Sequence, residues 1–236
     1  MTRHPSDTQA LDALLQHSQA LDDEVITLLT APAYRPFDQS KRISTSVAAA
    51  SVAFEHARAV RVLIAEGLFT SAFSLMRLQH EALTRAVWSL YAATESELDK
   101  LTAPLSKEAE TAANRLPMLV SMLSAIKKAA QTNSSAAAAY QGLLDFKTNN
   151  SPALNSFVHG GIHALQRHAL GFPLPMVLQG LRNSNGLLLM TAMMLITLSG
   201  NPSIAKRIRA LQTEFADCLP SLLPTAEPPR EPPHAH

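Results

Sequence analysis

Two short stretches hold the side chains best suited to chemistry. In MRLQHEALTRAVW, Arg77, Glu81 and Arg85 stand at successive i, i+4 spacings, with Thr84 and Trp88 close to Arg77 in helical projection. Met76, Leu83, Val87 and Leu90 of the same stretch point to a core, so the charged stripe runs beside a buried surface. In LNSFVHGGIH, Asn155 and His159 are four apart, as are His159 and His163. An arginine placed beside His159 would stabilise charge on a phosphorane-like group while the imidazole transfers a proton. His159 and Arg77 are therefore the candidate catalytic residues, and Glu81, Arg85, Trp88, Asn155 and His163 the candidate binding residues. Two plainer readings compete. Arg77, Glu81 and Arg85 would also serve as an intrahelical ion-pair ladder, contributing roughly 0.2–0.5 kcal/mol per pair. Arg77, Glu81, Asn155 and His159 would equally form a buried polar network that fixes two helices in register with no catalytic duty.

Other chemistries lack their residues. Histidines at i, i+4 can chelate a metal ion, but Gly160-Gly161 interrupts the pair His159/His163, no HExxH occurs, and no carboxylate lies nearby in sequence. No metal and no cofactor is expected. Ser156 and Cys218 stand in no nucleophile motif such as GxSxG, and neither GxxxxGK[ST] nor GxGxxG is present. Lys206, Arg207 and Arg209 are followed by Glu214 and Asp217, the pattern of a solvated helix face. The 20 Lys+Arg against 19 Asp+Glu leave a net charge of +1, which gives no bulk electrostatic attraction for a polyanion. The lone Cys218 excludes an internal disulfide and fits a reducing cytoplasm.

The elements that must position these residues are helices. Glycine is absent between Leu68 and Gln141 and proline between Phe37 and Ala103, while Ala, Leu, Met, Glu and Arg abound. No Asn-Gly or Asp-Gly hairpin signal occurs, which predicts an all-α fold. The spacing predicts helices over 6–29, 38–66 and 70–93, with Gly67 ending the second, and a short piece over 95–101. A helix from Ser106 to about Ala130 should be kinked or split by Pro117. The next is expected over 134–146, ending at the polar LysThrAsnAsn run, then one over 154–168 interrupted at Gly160-Gly161. Residues 176–199 form the most apolar helix, and Asn201-Pro202 opens a last one to about Leu219. Residues 1–219 thus read as a single helical domain, an antiparallel bundle, and residues 220–236, rich in proline, as a disordered tail. The first residues lack an apolar core of signal-peptide length, and LLLMTAMMLITL is shorter than a bilayer span, so a cytoplasmic protein with no membrane partner is expected.

MRLQHEALTRAVW followed by LNSFVHGGIHALQRH resembles a group of bacterial all-helical proteins of unknown function with an Arg-x-x-x-Glu helix and an LNSxxHxG segment, near the HEPN-like helical bundles. The resemblance spans about Ala48 to Leu198. It implies an HEPN-like bundle, a homodimer, and an RNA or nucleotide ligand in a toxin or defence setting, with a partner protein from the same operon. Many HEPN proteins are metal-independent ribonucleases with an Arg-x4–6-His motif, and His159 is similar to that histidine. Here Pro152, Ala153 and Leu154 occupy the positions for the arginine, and Arg230 and His236 meet the spacing only in the tail. The expected function is therefore RNA or nucleotide binding without the full ribonuclease motif. The alternative is a non-enzymatic homodimer that binds a partner or an apolar small molecule, using Met190, Met193 and Met194 as adaptable surface.

Overall fold

Helix ends in this protein fall where the chain supplies its own capping groups. The computed structural model describes residues 5–221, and all regular structure within them is helical. Helix α1 (Pro5–Thr30) is followed by α2 (Lys41–Ala65), where the Ser40 hydroxyl accepts from the Ile43 N–H at 3.3 Å. Gly67, at φ 73°, lets the chain reverse at once into α3 (Phe69–Tyr91), with the Leu68 N–H donating back to Leu63 O at 2.8 Å. Thr94 and Glu97 form a reciprocal capping box on α4 (Glu95–Thr102). Pro117 does divide the next segment, into α5 (Lys107–Ala113) and α6 (Leu119–Ala129). Beyond them lie α7 (Ser134–Val158), α8 (Ile162–Leu170), α9 (Leu174–Ser199) and α10 (Pro202–Glu214), then a 3-10 turn over Ala216–Cys218. No helix among the described residues is long and apolar enough to cross a membrane. The tail expected at residues 220–236 lies, from residue 222 onward, outside the described residues.

One expected boundary is corrected. LysThrAsnAsn is not a turn, and α7 continues through it and through Pro152. The side-chain amides of Asn149 and Asn150 donate to the carbonyls of Asp145 and Phe146 one turn back, at 2.8 and 3.0 Å, holding helical backbone in place. Asn183 of α9 then donates to Asn150 Oδ1 at 2.8 Å, so the polar run is anchored by a neighbouring helix.

The apolar helix α9 lies in the core, with Leu181, Leu187, Leu188, Ala192 and Ile196 at 1% exposure or less, and α1, α2, α3 and α10 pack on it. Met194 is buried and Met190 and Met193 are partly buried against the core, so they fill space rather than form an adaptable surface. Two polar pairs thread this apolar layer. Gln79 Nε2 donates to Ser184 O at 3.0 Å and Ser184 Oγ donates back to Gln79 Oε1 at 2.7 Å. Asn185 Nδ2 donates to Ser18 Oγ at 2.7 Å and to Cys218 O at 2.8 Å, tying α1 and the 3-10 turn to α9. Burial pushes the Cys218 thiol up to about 11, which keeps it protonated and unreactive.

Phe73 stacks on Phe157 and Phe172 with centroids 5.2 and 5.8 Å away, joining α3, the end of α7 and the approach to α9. Gly180 makes room for that ring: a Cβ there would sit 2.7 Å from Phe73 Cζ. Gly180→Ala is expected to cost about 1–3 kcal/mol, because Phe73 is held by its stacked neighbours. Gly142→Ala meets only the flexible end of Met190, at 2.8 Å, and is expected to be neutral or stabilising through helix propensity, by at most about 1 kcal/mol. Urea unfolding of the two variants side by side checks the contrast.

Candidate functional site

The two chemistry-bearing stretches meet where α3 packs on α7. Phe73 touches Phe157, Arg77 reaches Asn155, and His80 reaches Leu143, so the contacts run in opposite chain order along the two helices. The Arg77 Nε–H donates to Asn155 Oδ1 at 2.8 Å, and Nη1 donates to Glu81 Oε2 at 2.8 Å. The Arg77 side chain is 14% exposed and that of Glu81 25%, so this pair is better shielded from solvent than an ordinary surface ladder. Arg77 spends its fork on a neighbour in its own helix and a neighbour across the interface, which makes it a clamp between α3 and α7.

His159 follows the last residue of α7, and its backbone N–H donates to Asn155 O at 3.1 Å. Its side chain is exposed, and among the described residues no hydrogen bond or ion pair joins it to Arg77 or Arg85. His163 is exposed on α8, its backbone N–H donating to Ser156 Oγ at 2.9 Å. That hydroxyl holds the α7–α8 corner: a Cβ on Gly161 would come 2.7 Å from it, and Gly160 turns the chain at φ 63°. The corner leaves His159 just past the end of α7 and His163 on α8. Among the described residues no group of three His, Cys, Asp or Glu could hold a metal ion.

Trp88, expected as a binding residue, is corrected to a core residue at 1% exposure. Arg42 of α2 donates to Ser89 O at 2.9 Å, so the end of α3 that carries Trp88 is covered by another helix. Arg85, one turn beyond Glu81, stays half-buried at the surface with no hydrogen-bond or ion-pair partner among the described residues. Lys147, two turns before Asn155 on α7, is likewise half-buried and unpaired. Glu81 balances Arg77, and the charges of Arg85 and Lys147 are left over on this face.

His80 belongs to the same interface, one residue before Glu81, and sequence reasoning passed over it. The signal was present, since His80 falls at helical spacing with Met76, Leu83 and Val87 on the core side. Its ring stacks on Phe146 with centroids 4.7 Å apart, and Nε2 lies 3.0 Å from Leu143 O, a contact that requires the proton on Nε2. Nδ1 is buried with no partner. Burial pulls the His80 pKa down to about 4, with the cations Arg77 and Lys147 adding to the effect against the Leu143 carbonyl. The second polar feature that the spacing did not reveal is the buried pair Asp22–Arg61 between α1 and α2, described below.

The arrangement offers a positively charged, partly shielded helix face with exposed imidazoles at its end. It holds no assembled nucleophile or metal cage among the described residues. No curated protein and no solved structure matches the chain. The family of unknown function DUF6988 matches residues 50–221, which is most of the sequence and takes in both stretches of the site, and the protein belongs to that family.

Proposed function

We propose that this protein is a non-catalytic binding module for a phosphate-bearing ligand, RNA or a nucleotide, held on the α3–α7 face. The observation that carries it is the pair of unneutralised cations, Arg85 and Lys147, on a face already organised by the Arg77–Asn155 clamp. An anion there gains the charge that no protein carboxylate takes up. His159 and His163, both exposed, extend the face toward α8. Among the described residues no arginine hydrogen-bonds to the His159 side chain, which favours binding over strand cleavage. The opposite chain order of the α3–α7 contacts supports an antiparallel bundle, while an HEPN-like fold and a cytoplasmic toxin or defence role with an operon partner belong to the same proposal on the sequence resemblance alone.

Fluorescence anisotropy on labelled single-stranded and structured RNA, with ATP as competitor and EDTA present, tests it. Arg85→Ala with Lys147→Ala is expected to weaken binding about tenfold or more and to flatten the salt dependence by about two phosphate contacts. RNA should remain intact. Metal-free cleavage that disappears in His159→Ala would replace binding with ribonuclease activity, and no binding at low salt would remove the proposal.

A second reading rests on α8, where Ile162, Leu165 and Leu170 are 64%, 66% and 73% exposed. A homodimer or a helical partner protein would cover those side chains. Sedimentation of the full chain distinguishes the two states.

A further inference from the structure

One stripe of α2 carries an apolar cavity at one end and surplus positive charge at the other. On α2, Val47, Ser51, Phe54, Arg58 and Arg61 follow one another at intervals of four, three, four and three, so they form a single stripe. Helix α1 packs chiefly on α9 and only sparsely on α2, and Ser51 and Arg58 of the stripe are exposed. At its first end Val47, Ser51 and Phe54 line a partly open cavity of about 210 Å³ with Leu29, Tyr34 and Leu195. Four of the six lining side chains are purely apolar, and the hydroxyls of Tyr34 and Ser51 are the polar exceptions.

Arg58 stands seven residues beyond Ser51, about 10 Å along the helix axis at ~1.5 Å per residue. Its Nε lies 3.3 Å from Asp22 Oδ2, and the same oxygen accepts from Arg61 Nη2 at 2.5 Å. One carboxylate therefore serves two guanidinium groups, and one positive charge is left over. The Arg61 side chain is only 9% exposed and its Nη1 is buried with no hydrogen-bond partner among the described residues, so the accessible cation of the cluster is Arg58, at 54% exposure. Glu55, also exposed, lies off the stripe toward the flank of α2 and makes no ion pair with Arg58. Asp22 Oδ1 is buried without a donor, so the cluster is short of partners of both kinds.

We propose that this stripe of α2 binds a medium-chain carboxylate, its alkyl chain in the cavity between Leu29, Phe54 and Leu195 and its carboxylate at the exposed guanidinium of Arg58. An apolar cavity with few polar groups favours a hydrocarbon body, and a guanidinium with free donors favours a flat oxyanion. The spacing along one helix sets the distance between the two parts. The site shares no residue with the α3–α7 face, so it stands or falls independently of RNA or nucleotide binding.

Isothermal titration of the full chain with sodium octanoate, kept below its micelle threshold, is expected to show one saturable site. Octan-1-ol, with the chain but no charge, and acetate, with the charge but no chain, are each expected to bind at least about tenfold more weakly. Ser51→Trp, which fills the cavity mouth from an exposed position, and Arg58→Ala, which removes the exposed cation, should each lower octanoate affinity by at least about tenfold. Circular dichroism confirms that each variant is folded, and where one is not, the other decides. Absence of a saturable octanoate site, octan-1-ol binding as tight as octanoate, or wild-type octanoate affinity in a folded variant overturns the proposal.

Discussion

Replacing Asp22 by alanine is expected to lower the unfolding free energy by about 3–5 kcal/mol, the cost of leaving a buried cation without its counter-charge. Asp22 is fully buried and Arg61 is 9% exposed, so Arg61 would face the core with neither water nor carboxylate to accept its protons. Arg58, at 54% exposure, can turn out to solvent and contributes little to the penalty. The sharper result comes from the pair. Replacing Asp22 and Arg61 together by leucine should restore most of the loss, because two apolar side chains need no partners where one orphaned charge does. Urea midpoints at constant m-value measure both, and a single-variant cost under about 1 kcal/mol would show that the pair is solvated in the folded protein.

The second large effect is a loss of stability in mild acid. A histidine whose folded pKa lies below its unfolded value favours folding only while neutral, so its contribution is complete above the unfolded value near 6.5. It falls as pH drops toward the folded value of about 4. Across that window the change from His80 is about 3 kcal/mol, at 1.36 kcal/mol per pH unit. The physical cause is local. A proton added at Nδ1 would enter a buried position with no acceptor, facing the fields of Arg77 and Lys147. Thermal or urea unfolding from pH 7 to pH 4 should show the decline, and His80→Leu should remove that portion of it. An equal pH dependence in His80→Leu would assign the acid sensitivity to other groups.

Much of the fold was legible because its signals are local. Gly67, the Thr94–Glu97 box, Pro117 and the Asn201-Pro202 start each act within a few residues of the backbone they shape, and each boundary they set lies where expected, although α10 ends at Glu214 rather than near Leu219. The continuation of α7 through LysThrAsnAsn was hidden because Asn149 and Asn150 can satisfy either a turn or a helix. Asn183 of α9, far away in sequence, takes part in the outcome. The site divides in the same way. Helical spacing brought Arg77, Glu81 and Arg85 to one face of α3, but it could not show that Arg77 would choose Asn155 or that Arg85 would remain unpaired. Trp88 misled for a geometric reason: it projects near Arg77, yet the two lie about three turns apart, where different helices cover α3. The Asp22–Arg61 pair, 39 residues apart, left no periodic trace at all.

The Gly67 reversal also bears on the order in which the chain assembles. The broadest helix pairing among the described residues joins α2 to α3 across that tight link, so the loop that must close is among the shortest available. Loop-closure entropy is small there, and contacts between neighbours in sequence form early. The Ser18–Asn185 bond, by contrast, closes a separation of 167 residues. Docking α1 on α9 thus carries a larger loop-closure cost than pairing α2 with α3.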